Sequence, residues 1–355
     1  MKNKREIIDI INLKAGMITS DDIIINGTVL VGKGVKLTEQ MLDKLKSLYA
    51  FDKVEVFNNE KTSKEAIAIE EARNTLKNVS SSVEYIFNSS TNLKSSNTNE
   101  INEYAKNLLA QVKLNNNMIK SIILSGSGED SIYMHSVNVA VLSYLLGKWS
   151  NMSEIKLHAL IYASLLHDFG KTKIDKKIID KAAKLTDSEF EIIKTHPILA
   201  YNDIKDIPFI SQSVLYGVLM HHERCDGSGY PLKLKGEQIH EFGKIIAIAD
   251  TFDAINSNRS YKERKKPLQS LKIIKEESLN KLDYSLCNTF LKGLESYYIG
   301  QMCLLSNNKS CKIIQLNLND IEAPLVFSNN EFIDLSKYRD LSIIELLNNW
   351  YIKYW

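Results

Sequence analysis

Apolar and polar positions follow two periods along this chain, and the period changes twice. From Ile7 to Phe57 the runs Ile23 to Ile25, Thr28 to Val31 and Lys53 to Phe57 have strand character, with turns at Asn26-Gly27 and Gly32-Lys33-Gly34. Between them Thr38 and Glu39 open a helix whose apolar positions Met41, Leu42, Leu45 and Leu48 recur at helical spacing. This reads as a small α/β module. A helical segment from about Ser63 to Val79 follows, and Ser80 to Asn99, dense in Ser, Asn and Thr, reads as a connector or exposed loop. From Glu100 to about Leu294 the pattern is helical. Ser153 precedes an apolar face of Ile155, Leu157, Leu160, Ile161, Leu165 and Leu166. Thr186-Asp187-Ser188-Glu189 is a capping box, and Pro267 suits a first helical position. After Tyr297 strand-like runs return, at Gln301 to Leu305, Lys312 to Leu316 and Leu325 to Phe327, and an amphipathic segment around Leu341 to Leu347 closes the chain. The expected fold is mainly α: an all-helical domain over 99–296, preceded by an α/β module and connector over 1–98 and followed by a short β-containing extension over 297–355.

Composition adds exclusions. With 45 Lys+Arg against 43 Asp+Glu and 44% hydrophobic residues among 355, the chain is ordinary globular protein, with no bulk charge to hold a DNA or RNA polymer. Four cysteines, Cys225, Cys287, Cys303 and Cys311, form no CxxC pair and no disulfide framework, which fits a reducing cytoplasm. The N-terminus MKNKREIIDIINLK interleaves charge with isoleucine, unlike a signal peptide, and no apolar run reaches the ~18 residues of a membrane span. A soluble, cytoplasmic protein is expected.

The chemistry concentrates in one stretch. All seven histidines lie between His135 and His240, and the α/β module has none. His158 reads as a packed helical residue and His240 as a surface one. The other five stand in unusual settings: His135 in YMHSVNVA, His167 in LLHDFGK, His196 in KTHP, His221 and His222 in HHERCDGSGYP. Asp168 and Asp250 join them. Consecutive helical residues diverge by about 100°, so a His-Asp or His-His dyad does not close on one ion but reaches two adjacent ones. Asp168 has two oxygens with which to bridge such a pair. Imidazole plus carboxylate suits iron, manganese or zinc, and the lack of thiolate argues against structural zinc. Two ions ~3.5–4 Å apart would clamp an in-line displacement at phosphorus and acidify a bridging water, so metal-dependent phosphoester hydrolysis is the expected chemistry.

The ordered set His135, His167-Asp168, His196, His221-His222 and Asp250, with Gly170-Lys171 and Gly227-x-Gly229-Tyr230-Pro231, resembles the HD-GYP domain, a branch of the HD phosphohydrolase superfamily. The resemblance covers roughly Tyr104 to Leu294; the flanks resemble accessory regions with much lower specificity. It implies metal ligands at His135, His167, Asp168, His196, His221, His222 and Asp250, with Asp168 bridging and catalytic. It implies a catalytic Lys171 near the scissile phosphate, and substrate contacts at Gly229, Tyr230, Arg259 and Lys262. Asp253, one helical turn after Asp250, joins these as an outer-sphere or substrate contact. Some relatives hold a third metal through a glutamate one turn before the first histidine; here that position is Ser131, with Glu129 and Asp130 pointing elsewhere, so two divalent ions are expected. Iron is the choice the family implies, and manganese the second.

The activity implied is hydrolysis of cyclic di-GMP to pGpG, with continuation to GMP open, through a hydroxide activated by two metals. Hydrolysis of another cyclic dinucleotide such as cyclic GMP-AMP is the close rival, because no residue reads out the base. A catalytically silent signalling or interaction protein is the other class, disfavoured because every matched ligand position is filled. The helical connector offers a homodimer surface without a specific signature. The N-terminal module is a candidate site for a signalling partner, and neither its role nor that of the C-terminal extension is legible.

Overall fold

A computed structural model describes residues 5–25, 28–49, 52–57, 60–89, 95–125, 131–181, 183–256, 267–338 and 340–347. Two compact units are present, one of residues up to 68 and one of residues 69–348.

In the first unit, β1 (Arg5–Asp9) runs antiparallel to β4 (Lys53–Phe57), Arg5 opposite Phe57 and Asp9 opposite Lys53. A second antiparallel pair joins β2 (Ile23–Ile25) to β3 (Thr28–Val31). The turn expected at Asn26-Gly27 lies outside the described residues. Helix α1 (Glu39–Tyr49) buries Leu42 and Leu45 against Ile10, Leu13, Leu37 and Val56, while Met41 faces solvent.

The second unit overturns one expectation. Within Ser80 to Asn99 the described residues are helical: α2 (Glu60–Ser89) continues through Ser80–Ser82, and α3 (Ser95–Leu114) begins before Asn99. Val79, Val83, Ile86 and Phe87 recur at helical spacing and are buried. Serine and asparagine cost a few tenths of a kcal/mol each in a helix, whereas burying one Val, Ile or Phe gains ~1.5–3 kcal/mol, so the apolar stripe wins.

Then come α4 (Asn116–Ser125), α5 (Ile132–Trp149), α6 (Glu154–Leu166), the short α7 (Lys176–Ile179), α8 (Asp187–Ile193), α9 (His196–Ile204), α10 (Gln212–Met220), α11 (Glu241–Asn256), α12 (Gln269–Glu277) and α13 (Tyr284–Tyr298). The capping box at Thr186 forms, its hydroxyl accepting from the Glu189 amide at 3.2 Å and the Glu189 carboxylate accepting from the Thr186 amide at 2.7 Å. Pro267 stands two residues ahead of α12 instead of opening it. Helix α5 is buried without a break from Ser136 to Gly147, as a helix enclosed on every side must be, and α6, α11 and α13 pack around it. The C-terminal strands β5 (Met302–Leu305), β6 (Ser310–Gln315), β7 (Leu325–Ser328), β8 (Glu331–Asp334) and β9 (Ile343–Leu347) form one antiparallel sheet in the order β8-β7-β6-β5-β9. Cys303, Leu305, Cys311, Ile313, Val326 and Ile343 bury their side chains in the same core as the helices. Among the described residues no helix is long and apolar enough to cross a membrane.

Candidate metal centre

Four neighbouring helices and one turn deliver the polar residues. Ser131 caps α5, its hydroxyl accepting from the amides of Tyr133 and Met134, and His135 follows in the first turn. His167 and Asp168 stand where α6 gives way to a tight turn over Phe169–Lys173. That turn packs against the start of α9, where His196 precedes Pro197. The approach is so close that a Cβ on Gly170 would sit 1.9 Å from the His196 carbonyl oxygen, so only glycine fits. His221 ends α10, His222 follows it, and Asp250 lies within α11.

Backbone carbonyls orient three of the imidazoles. Nδ1 of His167, His196 and His221 donates to the carbonyls of Ser164, Ile193 and Val218, each at 2.7 Å. A carbonyl only accepts, so Nδ1 carries the proton and each neutral ring turns an Nε2 lone pair inward. The Nε2 atoms of His196 and His221 then face each other at 3.2 Å. His167 Nε2 and Asp168 Oδ1 are buried with no hydrogen-bond partner. Buried lone pairs in this arrangement call for a cation. The donors fall into two sets, Asp168 with His196, His221 and His222, and His135 with His167 and Asp250, the atoms of each set lying within 4.8 Å of one another. Asp168 spans both: Oδ1 is 3.3 Å from His196 Nε2, and Oδ2 is 3.5 Å from His167 Nε2 and 3.8 Å from His135 Nε2. Asp250 does likewise, Oδ1 lying 3.0 Å from His135 Nε2 and Oδ2 3.8 Å from His222 Nδ1.

The electrostatics match a divalent cation's needs. Burial lowers His167, His221 and His222, and lowers His196 to about 4, so these rings are neutral near pH 7. Burial alone would raise Asp168, but Lys171 and the surrounding imidazoles hold it well below the ordinary carboxylate range; Asp250 is held low against burial by the hydrogen bond from His135 and by the neighbouring His222. His135 is the exception: burial opposes its charge, yet Asp250 and Asp253 raise it to about 10. Neutral imidazole and ionised carboxylate are the ligand forms of a divalent metal site.

The other residues named from the sequence sort by position. Lys171 pairs with Asp168 Oδ2 at 2.6 Å. Tyr230 packs its ring 4.7 Å from that of His222, and burial, with Asp250 and Asp168 nearby, raises its phenol so that the proton stays on. Gly229 passes so near the preceding chain that a Cβ would lie 2.3 Å from the Arg224 amide nitrogen. Asp253 is not placed to touch substrate. It is fully buried, with Oδ2 accepting from His135 Nδ1 at 2.7 Å and Oδ1 from Asn138 Nδ2 at 3.0 Å, so it orients His135. Arg259 and Lys262 lie outside the described residues, as do Glu129 and Asp130. His240 is no free surface residue: its Nδ1 accepts from the Phe242 amide at 3.1 Å, capping α11, and its ring packs on Tyr216. His158 is half-buried on α6, as expected. Cys225 is half-buried, and burial pushes its thiol up.

Two residues escaped the sequence reading. Asn138, fully buried three positions after His135, carries no motif and is visible only through its bond to Asp253. Glu223, 2% exposed, accepts from the amides of Leu232 and Leu234 at 2.6 and 2.9 Å and so ties down the loop bearing Tyr230. The signal for it was present, an acidic residue directly after the His-His pair.

Comparison with known proteins gives concordant results. Residues 82–286 match the HD domain. A cyclic di-GMP phosphodiesterase of Pseudomonas aeruginosa is 30% identical over 217 residues, 61% of this chain and 52% of that protein. A 3′3′-cGAMP-specific phosphodiesterase of Vibrio cholerae is 35% identical over 149 residues, 41% of this chain and 31% of that protein. The chain thus spans about half the length of the first and less of the second. An HDG"Y"P protein from Bdellovibrio bacteriovorus shares the fold, with TM-score 0.53 and 16% identity over 82% of this chain and 99% of that one. The matched span, more than half of the chain, establishes that the chain belongs to the HD domain family, in agreement with its resemblance to the HD-GYP branch.

Proposed function

We propose that this protein is a metal-dependent cyclic dinucleotide phosphodiesterase that opens cyclic di-GMP to pGpG, with 99–296 as its catalytic domain. The observation that carries the reading is the convergence of five imidazoles and two carboxylates into two adjoining donor sets that share Asp168. Two divalent ions held there, iron by preference and manganese second, would polarise a phosphoryl oxygen and lower the pKa of water. The protein's own residues supply the rest. Asp168 offers one oxygen to each set. Asp253 and Asn138 keep the His135 ring in one orientation. Lys171, an ammonium 2.6 Å from Asp168, is close enough to meet phosphate charge and to protonate the leaving 3′ oxygen. The Tyr230 phenol keeps its proton and is a donor at the mouth of the site, held there by the loop that Glu223 ties. Arg259 and Lys262, by resemblance, grip substrate phosphate.

The test is product analysis after anaerobic incubation of purified protein with cyclic di-GMP, 3′3′-cyclic GMP-AMP and cyclic di-AMP. Linear pGpG from cyclic di-GMP, abolished together with metal content by Asp168→Ala, is the expected result. Turnover of none of the three by metal-loaded protein would overturn the proposal. Preference for cyclic GMP-AMP, the substrate named for the Vibrio cholerae relative, would favour the second reading of substrate.

A further inference from the structure

The two donor sets differ in what already engages their atoms. In the set around His196, two Nε2 lone pairs face each other at 3.2 Å and Asp168 Oδ1 has no hydrogen-bond partner. Those groups gain most from a cation, because they have nothing else to bond. In the other set His167 Nε2 is also without a hydrogen-bond partner, but His135 Nε2 is 3.0 Å from Asp250 Oδ1, and Asp168 Oδ2, the oxygen turned to this side, accepts from Lys171 at 2.6 Å. Asp168 is 1% exposed and the Lys171 side chain 21%, so this ion pair is poorly screened by water. An ion entering here must take a carboxylate oxygen that already has a counter-charge.

We propose, on the reading that this is a two-ion centre, that the ions load in a fixed order: the pocket of Asp168, His196, His221 and His222 fills first, the pocket of His135, His167 and Asp250 second, and Lys171 sets the gap. Lys171 is then an internal cation that weakens the second site, which makes the paired centre sensitive to metal supply while the single ion stays bound.

The experiment titrates Mn2+ anaerobically into chelator-treated full-length protein and follows low-temperature electron paramagnetic resonance, which separates isolated ions from exchange-coupled pairs. Up to one equivalent, isolated ions are expected, with coupled pairs only beyond it. Two equal sites would instead place pairs in about a quarter of the chains at one equivalent, and that result overturns the order. Lys171→Met is expected to tighten the second step about tenfold and the first by less, since His196 and His222 also lie in the field of the ammonium, and Lys171→Arg to keep the wild-type gap. An unchanged second step in a folded Lys171→Met variant refutes the role of Lys171. If that variant does not fold, the wild-type titration alone decides the order. Failure of the wild type to bind Mn2+, Co2+ or Fe2+ at all refutes the two-ion reading itself, an outcome distinct from two equal sites.

Discussion

Removing the Asp253 carboxylate tests whether a residue out of reach of any ligand governs the centre. Its oxygens serve two buried donors, His135 Nδ1 at 2.7 Å and Asn138 Nδ2 at 3.0 Å. In Asp253→Ala each donor loses its acceptor, at about 1–3 kcal/mol apiece, so the metal-free fold should lose about 2–6 kcal/mol. His135 can relieve part of this by keeping its proton on Nε2, but that nitrogen is the one turned to the ion. Metal affinity should therefore fall about 10- to 100-fold, equivalent to about 1.4–2.8 kcal/mol. Asp253→Asn should be milder for stability: its carbonyl still accepts from His135, and Asn138, whose own carbonyl oxygen has no partner, can turn to accept from the new amide. Competition against a chromophoric chelator, with thermal unfolding on the same samples, reads both quantities. A folded Asp253→Ala protein that binds metal within twofold of wild type would refute the orienting role.

Four further positions carry expected outcomes. His135, raised to about 10 by Asp250 and Asp253 against the effect of burial, is protonated near neutrality, so metal loading at pH 8 should release about one proton and bind more tightly as pH rises; calorimetry in buffers of different ionisation enthalpy measures it, and no proton release would contradict the assignment. By linkage, the same raised group stabilises the metal-free fold below its unfolded value of 6.5, and that contribution is lost as pH rises through about 10. Gly170→Ala should push α9 away, since its Cβ would lie 1.9 Å from the His196 carbonyl oxygen, and metal stoichiometry should drop. Phe87→Ala, removing a 2%-exposed ring that packs edge-on to Phe169 at 4.8 Å, should cost about 3–5 kcal/mol in chemical denaturation. Glu223→Ala should free the amides of Leu232 and Leu234, cost about 1–3 kcal/mol and raise KM for the cyclic dinucleotide more than it lowers kcat.

Much of this was legible along the chain because the signals are local. Thr186 and Glu189 announce a helix start whatever surrounds them, and they form the expected box. The connector was misread because composition spoke louder than spacing: the serines around Ser80 favour a loop, whereas Val83, Ile86 and Phe87 favour a helix only if a core is waiting for them. Asp253 was ambiguous for a related reason. Its offset from Asp250 put both on one helix face, but whether that face met substrate or the flank of α5 depended on the packing of α11 against α5.

The amino-acid sequence by itself determined the kinds of donor and their order; helix geometry would send His221 and His222 to different ions, but both stand just past the end of α10 and their donor atoms fall in one set. Only the tertiary structure decided which donors lie together. His135 and Asp250 are 115 positions apart and 3.0 Å in space, a distance set by the close packing of α5, α6, α10 and α11. The carbonyls that orient the imidazoles, and Asp168 as partner of Lys171, are each three residues away and local, whereas Asp253 meets His135 and Asn138 across 118 and 115 positions only through folding, because an ionised group shut off from water must find a counterpart.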